Sequence, residues 1–137
     1  MSGEVESTRA VAEVELVLKS DLLLPSSISQ TTGLECSRAW AKGEEYLSKS
    51  GRLLTRHTGL WAISRRSLSV EEAAEELLTQ IEPRIREIRE AAGKVSAQIG
   101  VAIWWNPPGG QGGFGCSSVI LRRLCDLTDR IELYFPG

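Results

Sequence analysis

The run Val95-Ser96-Ala97-Gln98-Ile99-Gly100-Val101-Ala102-Ile103-Trp104-Trp105 limits the possible folds of this chain more than any other stretch. Successive side chains of a strand point to opposite faces, and here both sets are apolar or small. Ile99, Val101, Ile103 and Trp105 fall on one side, Gly100, Ala102 and Trp104 on the other. A strand covered on both faces belongs in the middle of a sheet, so the fold must supply neighbours for it. A glycine-dense loop follows, Asn106-Pro107-Pro108-Gly109-Gly110-Gln111-Gly112-Gly113-Phe114-Gly115, upstream of a helix start at Ser117 or Ser118.

The other elements fit around that strand. Residues 1–9 carry no pattern and are expected to be a flexible tail, with a single domain over 10–137. From Ala10 the chain alternates. Ala10, Ala12, Val14, Leu16 and Leu18 share one face, and Glu13, Glu15 and Lys19 lie on a wet one. Pro25 suits a first helical turn and Gly33 a helix stop, which predicts a short helix near 25–32. Strands are expected over Ser37–Lys42 and Gly59–Ser64, joined by a polar, exposed connection from Gly43 to Gly51.

Ser69-Val70-Glu71-Glu72 reads as a capping box. It opens a helix with a stripe of Val70, Ala74, Leu77, Ile81, Ile85, Ile88 and Ala92. Pro83 interrupts that helix and Gly93 ends it. Phe114–Cys116 is expected to pair as a strand. A helix carrying Val119, Ile120, Leu124 and Leu127 then precedes a last alternating strand with Ile131, Leu133 and Phe135. The order β-α-β-β-α-β-β-α-β predicts a two-layer α+β domain, a mostly antiparallel sheet with its helices packed on one face.

Composition removes several function classes. With 42% hydrophobic and 25% charged residues the chain is an ordinary globular protein, and a net charge of -2 supplies no field for nucleic acid. Cys36, Cys116 and Cys125 lack metal spacing and stand far from the single histidine, so neither a metal nor a cofactor is expected. Reduced thiols, an acidic start and no long apolar stretch point to a cytoplasmic protein without a membrane segment.

Several stretches together resemble a bacterial family catalogued only as a domain of unknown function, number 4279. They are the strand and short helix at Ser20–Leu34, Lys42-Gly43, Thr58-Gly59-Leu60-Trp61, the proline-containing helix Leu77–Ile88, and Gly110–Leu127. The resemblance runs from Val11 onward and implies a bacterial origin and a compact α+β domain, with no activity to transfer.

Two groups of residues are candidates for binding. Gly110, Gln111, Gly112 and Gly113 offer unobstructed backbone amides beside a helix start, a setting for a small anion, although neither phosphate-loop motif is present. Arg38, Trp40, Lys42, Arg56, His57 and Trp61, joined by Trp104, supply cations and indoles on a sheet face left free of helices, suited to an anionic or aromatic ligand. His57 is the one side chain placed to act as a general base in a hydrolase, but no nucleophile motif surrounds any serine. The balance favours a non-catalytic binding module with a protein partner, an immunity-type partner of a toxin included, existing as a monomer or homodimer. A small-ligand binder is the alternative.

Overall fold

The computed structural model describes residues 11–107 and 112–135. The expected tail and four of the loop residues, 108–111, lie outside them, including the candidates Gly110 and Gln111. The chain runs β1 (Val11–Ser20), α1 (Pro25–Thr32), β2 (Arg38–Trp40), β3 (Glu45–Leu47), β4 (Leu53–Thr55), β5 (Gly59–Ser67), α2 (Val70–Ile81), a 3-10 turn (Glu82–Arg84), α3 (Ile85–Lys94), β6 (Gln98–Asn106), α4 (Ser118–Leu127) and β7 (Arg130–Tyr134). The strands form a five-stranded sheet in the order β2-β5-β1-β6-β7, with β3 and β4 as a separate two-stranded sheet. All main-sheet pairings are antiparallel except β6 with β7. The fold is α+β, as the alternating patterns require.

The caps follow the sequence closely. Ser69 Oγ accepts from the Glu72 amide, and α1 closes at Gly33, whose φ of 71° is the left-handed turn that glycine tolerates. Pro83 breaks the long helix: the backbone tightens into the 3-10 turn and resumes as α3. The apolar stripe survives the break, because Leu77, Ile81 and Ile88 are all fully buried.

The helices cover one face of the sheet. Leu16 and Leu18 of β1, Trp61 and Ile63 of β5, and Val101 and Ile103 of β6 share one core with Leu77, Ile88 and Leu124. Among the described residues, the opposite face carries a small buried cluster of Val17, Leu60 and Ala62, with Trp40 packed against it.

Three expectations change. The middle strand is β1, not the double-tryptophan segment; β6 is interior but sits beside it. The pairing of β1 with β5 and β6 joins segments far apart in sequence, and no local pattern encodes that order. Residues 112–117 form no strand; Phe114 is held instead by edge-on packing against Trp105, ring centroids 6.3 Å apart. The polar connection from Gly43 contains strand β3, paired with β4 across Tyr46 and Leu54.

Candidate functional site

The helix-free face of the sheet is built from the alternate residues that the helices do not claim. Register sets them in rows across the strands. Arg66, Glu13, Trp104 and Tyr134 form one row, Ser64, Glu15, Ala102 and Glu132 the next, and Ala62, Val17 and Gly100 a third. Gly100, Ala102 and Ala62 are small, so the middle of the face is low. Trp104 and Tyr134 rise on one side and Arg38 on the other. A hollow of about 250 Å3 lies over that floor. Two more, about 350 and 310 Å3, continue past Glu13 to Asn106 and Phe135.

Trp104 and Tyr134 stack with centroids 4.1 Å apart and planes 14° from parallel. The aromatic wall stays partly open, because Trp104 is 41% exposed. Burial and the neighbouring Glu132 push the Tyr134 phenol above its usual pKa.

Glu15 was placed on a wet strand face by its alternation, yet it is only 2% exposed. Its carboxylate is satisfied by a two-pronged bond from Arg38, Nε to Oε2 at 2.9 Å and Nη2 to Oε1 at 2.7 Å. That bond raises the Arg38 pKa further and keeps the guanidinium charged.

Of the residues expected to form a cationic and aromatic face, the structure brings four together. Arg38 and Trp104 line the same hollow, and Arg38 lies 5.5 Å from the Trp40 ring. Arg56 is sandwiched between Trp40 at 3.7 Å and Tyr46 at 3.6 Å, which fastens the β3–β4 hairpin to the sheet edge. Trp40 is anchored in turn, its indole donating to the Thr58 carbonyl.

The other three stand apart. Lys42 pairs with Asp21 at 3.2 Å; hydrogen bonding from Thr58, then from Lys42, holds that carboxyl below its usual range. His57 is exposed in the bend between β4 and β5. Trp61 lies on the opposite face, fully buried under the helices, with its indole donating to Ser29 Oγ.

Gly112 and Gly113 also belong to the helix side. The Gly112 carbonyl accepts from the Trp105 indole at 3.2 Å. The nearby start of α4 is occupied by the protein itself: the Ser117 amide donates to Glu71 Oε1, and the Ile120 amide donates to Ser117 Oγ. An anion there would meet a carboxylate already in place. Gly112 and Gly113 therefore share no groove with the Arg38–Trp40 face.

Sequence reasoning missed Glu15, Glu13, Arg66 and Tyr134. Their signal was parity: Glu13 and Glu15 share a β1 face with Val17, and Arg66 and Tyr134 fall in register with Glu13 and Trp104. Cys116 offers little as a nucleophile, since burial and then Glu71 push its thiol pKa up. Among the described residues no group of His, Cys, Asp and Glu is placed to hold a metal ion, and no helix is long and apolar enough to cross a membrane.

Comparison with known proteins adds one relationship. No curated protein and no solved structure matches the chain. The family described as a domain of unknown function, DUF4279, matches residues 8–134, nearly all of the sequence, and the chain belongs to that family.

Proposed function

We propose that this protein is a non-catalytic binding module of the bacterial cytoplasm, and that the helix-free sheet face docks a folded protein partner. The reading rests on one observation: Trp104, Tyr134, Arg38 and Arg66, of the residue types that dominate the energetics of protein interfaces, are gathered on the sheet face that no described helix covers. Extent argues for a protein over a small molecule: hollows of about 250, 310 and 350 Å3 lie side by side on this face, with Trp104 in the wall of each. The hollows continue across several strands, as an extended interface requires. The three free cysteines fit a reducing compartment.

The test begins with crosslinking in the native host, followed by purification of the captured protein and calorimetric titration against it. Trp104→Ala and Tyr134→Ala are expected to weaken binding by about thirtyfold or more without lowering the melting temperature appreciably. Glu90→Ala, on the exposed side of α3, is expected to leave it unchanged. Equal affinity of Trp104→Ala and the unmodified protein would remove this face from the interface.

A further inference from the structure

We propose that two copies of this chain pair through β7, antiparallel about a two-fold axis at Ile131, so that Arg130 of each copy faces the partner's Glu132. The two edges of the main sheet are unlike. On one side β2 has only three residues, and the Arg56 clamp holds the β3–β4 hairpin beside it. On the other side β7 has five residues, contains no proline, and among the described residues pairs with no strand on its outer side. An edge of that kind presents a row of free backbone donors and acceptors, which protected edges avoid.

The register follows from charge. A two-fold axis perpendicular to the sheet keeps each face matched to itself, so it passes through Ile131, Glu132 or Leu133. Centring on Glu132 sets two carboxylates directly opposite, an unfavourable cross-strand pair. Centring on Leu133 puts Glu132 against Tyr134. Centring on Ile131 puts Arg130 against Glu132 twice and Ile131 against Ile131. Within one copy Arg130 and Glu132 already share the open face, 3.8 Å apart and well exposed, so two copies build an alternating array of four charges. The paired sheets would form one continuous surface with a Trp104–Tyr134 stack near the seam from each copy.

Sedimentation velocity on the full chain over the micromolar range tests this. The unmodified protein is expected to dimerise and to dissociate as salt is raised. Arg130→Glu alone and Glu132→Arg alone are each expected to weaken the dimer by about tenfold or more. The double exchange, Arg130→Glu with Glu132→Arg, is expected to restore it, because the array is the same with signs reversed. A protein that stays monomeric throughout overturns the proposal. So does a dimer indifferent to the single reversals, which would pair in another register or through another surface, and so does a double exchange that fails to recover association.

Discussion

Truncating Arg38 leaves Glu15 with its charge in a site that water hardly reaches. Breaking a buried ion pair from one side costs roughly 3–5 kcal/mol, because the remaining charge is uncompensated. Arg38 itself is half in water, its side chain 46% exposed against 3% for Glu15, so Arg38→Ala is expected to cost less, about 2 kcal/mol, in urea unfolding. Replacing both together, Glu15→Val with Arg38→Leu, removes the stranded charge and is expected to be nearly neutral. A double variant as unstable as the single would mean that the pair matters for packing and not for charge. A second prediction concerns Arg123, which bonds Glu82 through Nε and Nη2 and reaches Glu75 at 2.8 Å. Those bonds hold the Glu82 carboxyl below its ordinary value of 4.5. A carboxyl depressed by folding adds stability that is present above the ordinary value and is lost as pH falls through the lower, folded one. Glu82→Gln is therefore expected to lower the urea midpoint near neutral pH and to flatten its fall below the ordinary value of 4.5. A variant with the same acid limb as the unmodified protein would assign that limb to other carboxylates.

Among the elements, close approach and clamping make different predictions. Gly59 begins β5 where the chain turns back past Ser20; a Cβ there would sit 2.7 Å from the Ser20 carbonyl oxygen and 3.1 Å from the Leu23 Cβ. A backbone atom cannot swing aside, so Gly59→Ala is expected to destabilise by about 1–3 kcal/mol in thermal or urea unfolding. The hairpin is held more lightly. Arg56→Ala removes two cation–ring contacts, each about 0.5–1 kcal/mol where partly exposed. Amide exchange in β3 and β4 is expected to rise by roughly tenfold while β1 is unaffected. Equal acceleration in β1 would show that the hairpin and sheet open together.

These two elements also mark what the sequence discloses. The Ser69 cap, the Gly33 stop and the break at Pro83 are local chemistry and are readable residue by residue. The hairpin is not, because Glu45-Tyr46-Leu47 and Leu53-Leu54-Thr55 are too short for a period to emerge from their polar surroundings. Trp61 went to the wrong face for a related reason. Leu60, Trp61, Ala62 and Ile63 are all buried, so alternation carries no sign there. Only the pairing of Leu18 with Trp61 settles which side is which. The open face was legible in part: Arg38, Trp40 and Trp104 announce themselves by type. Glu15 does not, since a carboxylate reads as solvent-facing until its partner, 23 positions away, is known.

Sheet order governs how the whole molecule forms. β1 is flanked by β5 and β6, whose partner residues lie far along the chain: Leu16 pairs with Ile63 on one side and Val101 on the other. Loop closure must precede both ladders, so folding should fall among the slower, nonlocal topologies. The central strand has to be engaged on both sides before the sheet exists, whereas α4 is laid against α2 late in the sequence, after β6. Leu16 and Leu124 are both fully buried, so truncation to alanine is expected to cost each about 2–5 kcal/mol. The kinetics should separate them. Leu16→Ala is expected to act mainly by slowing folding, because Leu16 lies in the strand that must be paired on both sides; Leu124→Ala is expected to act mainly by speeding unfolding. Stopped-flow chevrons in urea measure both arms directly. If Leu124→Ala slows folding as much as Leu16→Ala, the C-terminal helix belongs to the nucleus, and the order in which this sheet assembles is not the one its strand pairing implies.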